Sequence, residues 1–203
     1  MESTADTILE NTALIFAEKG YDGARVDELA RAAGVNKATL YYQIGDKEAL
    51  YHAVIERVFR HAADRVEAAI TAGADCEEQV RGFVEVFART AGDISYAAPI
   101  LLREVASGGR NLPQCAIDQM GRILGALDAI LERGERQGRF RKVNSFMVHM
   151  MVIGSLTFYA ANEPIRRRNA EHNPDIYKPE QFISNAEAGA QIAELVLTAI
   201  RRT

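Results

Sequence analysis

Between Leu50 and Ile70 apolar side chains recur every third or fourth residue, at Leu50, Val54, Ile55, Val58, Phe59, Ala62, Val66 and Ile70, a spacing that an α-helix gathers onto one face. The pattern predicts a helix of about seven turns from Lys47 to Gly73. The same period appears at Ile8, Leu9, Thr12, Ala13, Phe16 and Ala17, and again at Val26, Leu29, Ala30 and Ala33. No stretch shows the alternation of a half-buried strand. Further helices are expected at about 76–91, 96–106, 113–137, 144–167 and 180–202, punctuated by Gly92, Gly108-Gly109, Gly138 and Asn173-Pro174. The expected fold class is all-α, with about nine helices.

Charge and cysteine usage narrow the classes. The net charge is −4, so any nucleic-acid partner must be held by a local patch rather than by a basic surplus. Cys76 and Cys115 stand alone, without metal-knuckle or disulfide-framework spacing, and a reducing cytoplasm is the expected setting. Met1 to Asp6 carry two acids and no basic n-region, unlike a secretory signal. The longest apolar run, Phe146 to Ala161, is interrupted by His149 and is shorter than a bilayer span, so it reads as a buried helix with no membrane partner.

The most informative segment is Glu28 to Lys47, ELARAAGVNKATLYYQIGDK. Its first half is a helix of two turns ending at Gly34-Val35, where glycine permits positive φ. Asn36 then caps a second short helix that Gly45 ends, and Asp46 caps the long one. Two short helices joined by a glycine turn form a helix-turn-helix, whose second member enters the major groove of duplex DNA. Ala30, Val35 and Leu40 are placed to pack the pair together, leaving Asn36, Lys37, Thr39, Tyr42 and Gln43 to face outward. Asn36 and Lys37 also sit where backbone N–H groups and the helix dipole favour a phosphate, and Lys47 repeats that arrangement on the next helix. Residues 1–50 hold five Lys/Arg and nine Asp/Glu, but the stretch from Arg31 to Lys47 holds three basic residues and one acid. Three phosphates neutralised per subunit of a dimer would give a log–log salt slope of about −5.

Gly20-Tyr21-Asp22, Leu29-Ala30-Arg31-Ala32-Ala33-Gly34-Val35, Thr39-Leu40-Tyr41-Tyr42 and Asp46-Lys47-Glu48-Ala49-Leu50 together resemble the TetR/AcrR family of bacterial transcriptional regulators over about the first 55 residues. The resemblance implies DNA contacts by Tyr41, Tyr42, Gln43 and the phosphate-gripping Lys47, with Asn36, Lys37, Ala38 and Thr39 forming the base-reading edge. It also implies a homodimer on a palindromic double-stranded DNA operator, released by a small-molecule effector that binds the C-terminal region. Two positions depart from the family pattern. Ala24-Arg25 replaces the usual hydroxyl cap before the second helix, which puts Arg25 in line to contact phosphate. Gln43-Ile44 replaces the commoner His-Phe.

The expected domains are residues 1–50, carrying the helix-turn-helix, and residues 51–203, for effector binding and dimerisation. In the second region a core and an effector pocket remain alternatives. Aromatics at helical spacing commonly fill a core, whereas clustered methionines with a few polar groups suit an adaptable pocket. The candidate pocket residues are Phe83, Phe87, Tyr96, Arg103, Met120, Leu124, His149, Met150 and Phe158. His149 has no second ligand at metal spacing, so no metal and no cofactor are expected. Arg166-Arg167-Arg168 reads as a solvated helix end. Met151, Phe182, Ala186, Ala190, Ala193 and Leu197 are the candidate dimer interface, with small residues permitting close helix approach.

No Gly-x-Ser-x-Gly, phosphate-binding loop or nucleophile–base pairing is present in the sequence, so no catalysis is expected. Two alternative readings are a helical module that presents residues 28–47 to another protein, and an enzyme with a buried helical pocket.

Overall fold

The computed structural model describes residues 4–70, 75–178 and 181–202. Among these the chain forms ten helices, α1 (Thr4–Gly23), α2 (Val26–Ala32), α3 (Lys37–Gln43), α4 (Lys47–Ile70), α5 (Cys76–Asp93), α6 (Ala97–Ala106), α7 (Gln114–Arg136), α8 (Ser145–Ala161), α9 (Glu163–His172) and α10 (Asn185–Ile200). The only pairing of strand type described is an isolated antiparallel bridge between Phe140 and Arg201. No described helix is long and apolar enough to cross a membrane. The expected extension of α4 to Gly73, and residue 180 of the last expected helix, lie outside the described residues.

Ten helices form instead of nine because the expected helix 144–167 is two. Asn162 ends α8, and Pro164 stands in the first turn of α9. Proline has no N–H to give to the preceding turn, but in a first turn that N–H has no intrahelical partner. The three arginines therefore lie within α9 rather than at the end of a longer helix. Arg166 nevertheless donates to the carbonyl of Tyr159 in the last turn of α8 and stacks 3.9 Å from the Tyr159 ring centroid.

The contacts divide into two compact units, Met1–His61 with Pro99–Gln119, and Ala62–Ala98 with Met120–Thr203. The expected border at residue 50 falls inside α4, and α6 belongs with the first unit. Within that unit, Ile8, Thr12, Ala13 and Phe16 of α1 are buried, as are Leu29, Ala30, Leu40, Leu50, Tyr51, Val54 and Ile55, and the Phe16 ring packs edge-on against that of Tyr51. The Thr12 hydroxyl is satisfied by donating to the carbonyl of Ile8 at 2.7 Å. Gly20, with φ of 71°, breaks the helical path of α1, as expected of a glycine stop.

Within the second unit, the core is built by α5, α7, α8 and α10 around Phe83, Val84, Leu127, Ile130, Val152 and Leu197. Close approach of α5 and α10 depends on Gly189, where a Cβ would lie 2.5 Å from that of Ala88. The bridge at Phe140 and Arg201 ties the chain end to the segment after α7, and Arg201 also pairs with Glu77.

Candidate nucleic-acid interface

The reading head consists of α2, a four-residue connection (Ala33 to Asn36) and α3. The turn is closed by hydrogen bonds from the Gly34 N–H to the Arg31 carbonyl at 3.1 Å and from the Val35 N–H to the Ala30 carbonyl at 3.0 Å. Gly34 takes φ of 69° there. Leu40 faces inward and is buried, anchoring α3 beside Ala30 and Leu29. Because α3 has only seven residues, this one apolar anchor leaves most of its surface outside.

Tyr42 is 87% exposed and Tyr41 47% exposed. Arg25, Asn36, Lys37, Ala38 and Gln43 are also exposed, while Thr39 is half-buried. A tyrosine that exposed gains nothing for the fold by its ring, so its apolar face is available to a partner. The helix therefore presents one contiguous run, residues 36–39 and 41–43, with mixed amide, hydroxyl, aromatic and cationic chemistry.

Three of the expected contact residues have internal commitments. The Asn36 side-chain oxygen accepts from the Thr39 N–H at 2.8 Å, capping α3 and leaving only the amide NH2 free to donate outward. Lys37 pairs with Asp27 in the first turn of α2, and that carboxylate holds the ammonium pKa above its ordinary value. Lys47 is half-buried and donates to the carbonyls of Tyr21 at 2.9 Å and Ala24 at 3.1 Å. Arg25 occupies the N-cap of α2 without a side-chain capping bond. Arg31, counted in the basic stretch of the sequence but not among the expected contact residues, also lies exposed in the last turn of α2.

The N-terminus of α4 is capped as its sequence predicts. Asp46 Oδ1 accepts from the Ala49 N–H at 2.8 Å, and Gly45 takes φ of 114° to allow the corner.

The candidate pocket residues do not gather in one place. Phe83, Phe87 and His149 meet in the core of the second unit, with the two phenyl rings 5.0 Å apart and the imidazole 6.2 Å from each. Burial lowers the His149 pKa, and its Nδ1 has no hydrogen-bond partner among the described residues. Tyr96 is buried, and Met120 and Leu124 are half-buried. Arg103 departs from the expectation: it lies in the first unit and donates to the carbonyls of Ala17 and Glu18 near the end of α1. Met150 and Phe158 depart as well, since both are exposed on α8. Successive helical positions point about 100° apart, which carries these two off the face that buries His149.

The candidate interface is likewise divided. Met151, Ala186 and Ala190 are exposed and Phe182 is half-buried. Ala193 and Leu197 face the core and are buried, against the expectation. The outer face of α10 presents Leu195 instead. On α8, Phe146 and Met147 are exposed alongside Met150, Met151 and Phe158. The α8 sequence is apolar on all sides, so its period gave no indication of which face would be left outside.

The first part of the chain, residues 8–54, matches the family model described as bacterial regulatory proteins, tetR family. Residues 77–178 match the tetracyclin repressor-like C-terminal domain. The biofilm operon icaADBC negative transcriptional regulator IcaR of Staphylococcus epidermidis is 37% identical over 59 residues, 29% of this chain and 32% of its own length. The match thus spans about a third of that relative. The transcriptional repressor NicS of Pseudomonas putida is 25% identical over 163 residues, 78% of this chain and 76% of its own. The crystal structure of PfmR from Thermus thermophilus, a TetR family transcriptional regulator, superposes with a TM-score of 0.74 at 27% identity, covering 96% of this chain and 99% of that one. The two family models together span the helix-turn-helix and most of the helical region beyond it, and the chain belongs to the tetR family of bacterial regulatory proteins.

Proposed function

We propose that this protein is a homodimeric, sequence-specific DNA-binding repressor that seats one α3 per subunit in successive major grooves of a palindromic operator and leaves it when a small-molecule effector binds. The observation that carries the reading is the outer surface of α3. Tyr41, Tyr42 and Gln43 stand exposed beside Lys37, while Leu40 alone docks the helix. Asn36, Lys37, Ala38 and Thr39 supply the base-reading edge, and Arg25 approaches the backbone from α2.

The second copy of the chain would cover the outer apolar face of α8, where Phe146, Met147, Met150, Met151 and Phe158 are exposed, with Ala186, Ala190 and Leu195 of α10. A soluble monomer rarely leaves such a surface to water. For the effector, Phe83, Phe87 and His149 form the candidate contact group, with Tyr96, Met120 and Leu124 as further candidates. An effector lowers occupancy tenfold if it prefers the non-binding state by about 1.4 kcal/mol.

Selection of bound duplexes from a random-sequence pool is the direct test. A palindromic sequence should be enriched, and addition of cell extract fractions should release the protein from it. Absence of any enriched sequence, or undiminished binding by the Tyr42→Ala variant, would overturn the reading.

A further inference from the structure

Asn36 and Lys37, side by side on the exposed surface of the reading head, offer hydrogen-bond donors to a partner. The Asn36 side-chain oxygen is turned to its own helix, where it accepts from the Thr39 N–H at 2.8 Å, and the NH2 remains to face outward. Such a cap serves a backbone donor that would otherwise be unpaired, so it persists when the outer surface is covered. Lys37 has more than half of its side chain exposed, and an ammonium has three hydrogens and no acceptor. Its pairing with Asp27 uses one hydrogen and leaves two. The next residues add no competing acceptor at this edge: Ala38 ends in a methyl group and Thr39 is half-buried.

Bases differ in what they present to a row of donors. In the major groove guanine shows two acceptors, O6 and N7. Adenine shows one acceptor beside a donor, thymine one acceptor beside a methyl group, and cytosine a donor alone. Guanine alone matches an all-donor edge in full. A phosphate is the competing partner for Lys37, but it is anionic, and the exposed Asp27 carboxylate already beside the ammonium repels it. A neutral base edge meets no such repulsion. The leading residues of a recognition helix are also the ones that reach base edges.

We propose that Asn36 and Lys37 are specificity-determining residues that read a guanine through O6 and N7 in each half-site of the operator, with Lys37 making the main contact. This deepens the DNA-binding reading above and rests on it.

The test uses the full chain and the duplex that it selects from a random pool. Each half-site should carry a guanine whose replacement by adenine weakens binding about tenfold or more. Inosine, which keeps the major-groove edge of guanine, should be accepted in its place. The 7-deaza analogue of guanine, which lacks the N7 acceptor, should not.

Lys37→Gln supplies one donor and one acceptor, the pair that matches adenine. This variant should prefer adenine at the same position and bind the adenine-substituted duplex more tightly than the wild type does. Asn36→Ser keeps a capping oxygen and loses the NH2, so it should retain wild-type helicity and narrow the preference for guanine over adenine. A lysine that only gripped phosphate, or only supported the fold, would behave differently: Lys37→Gln would then weaken binding to all duplexes alike and keep the original base preference. That result would overturn the proposal, as would a selected half-site without guanine or one indifferent to the 7-deaza analogue.

A measurement on the unaltered protein covers the case in which a variant does not fold. Dimethyl sulfate methylates guanine at N7, and bound wild-type protein should shield the half-site guanine from it. Undiminished methylation in the complex would overturn the proposal. Failure of the wild type to prefer any selected duplex over random DNA would instead remove the DNA-binding reading itself.

Discussion

The hydroxyl of Tyr51 on α4 donates a 2.6 Å hydrogen bond to Oε1 of Glu104 on α6, and both side chains are buried. Asn111 Nδ2 donates to the same oxygen at 3.2 Å, and the Ser107 hydroxyl to Oε2 at 3.3 Å. A carboxylate 2% exposed, with no cation in ion-pair range among the described residues, depends on such donors. Burial first, and then this bond, push the Tyr51 pKa far above its ordinary value. Phe16 and Tyr21 pack on the Tyr51 ring at 4.7 and 5.2 Å between centroids, so the bond sits at the centre of the first unit.

Tyr51→Phe keeps the ring and removes the strongest of these donors. It should lower the free energy of unfolding by about 1–3 kcal/mol, measured by urea denaturation. A loss below about 0.5 kcal/mol would mean that water or a neighbour replaces the hydroxyl at once.

Stability should fall as pH drops below about 6.5, the ordinary imidazole value. Burial lowers the His149 pKa, so in this window the unfolded chain binds a proton that the folded chain does not, and protonation favours unfolding. Urea midpoints recorded from pH 7.5 to 5.5 should decline, and His149→Phe should flatten part of that decline; equal slopes in the two proteins would contradict the assignment. Glu77 acts at lower pH. Its folded pKa is lowered chiefly by Arg201, so its contribution is present above the unfolded carboxylate pKa and is lost as pH falls through the lowered value.

Two helical glycines should respond oppositely to alanine. At Gly125 on α7 a Cβ meets nothing within 4 Å, and Gly125→Ala should stabilise by about 0.5–1 kcal/mol through helix propensity. At Gly189 the new Cβ would lie 2.5 Å from that of Ala88, and Gly189→Ala should destabilise by about 1–3 kcal/mol despite the same propensity gain. Thermal melts of the two variants should move in opposite directions.

If the outer face of α8 is the dimer interface, a charge within it should separate the subunits. Phe158 is 64% exposed in the single chain, so Phe158→Glu should leave the fold intact and yield monomer in sedimentation equilibrium, with operator affinity falling in parallel. A stable dimer carrying this change would place the interface elsewhere.

Asp27→Asn should tighten operator binding at low salt. It releases Lys37 from its partner and removes an acid close to the reading head. Since the pair is solvent-exposed, the melting temperature should change little. The gain in affinity should shrink at high salt, where such charges are screened.

The DNA-binding half was largely legible because its signals are local. Gly20, Gly34 and Gly45 lie where the chain needs positive φ, and Asn36 and Asp46 cap the helices that follow. The break between α8 and α9 was less visible, because Pro164 is tolerated in a first turn and is flanked on both sides by residues that sustain a helix. Nothing in the one-dimensional pattern links Arg103 to Ala17, 86 positions earlier. Ala193 and Leu197 share an apolar stripe with Ala186, but the packing of α10 on α5 turns them inward while Ala186 stays outside. A period identifies a face, but not the neighbour that the face will meet.

The first unit draws on two stretches separated in sequence, and this matters for anyone who would transplant its operator specificity. A fragment cut after residue 61 loses Arg103 and Glu104, stripping the α1 carbonyls of their guanidinium and the Tyr51 hydroxyl of its acceptor. A chimera that grafts this reading head onto another sensor body must therefore import residues 99–119 as well, or supply equivalent partners from the recipient.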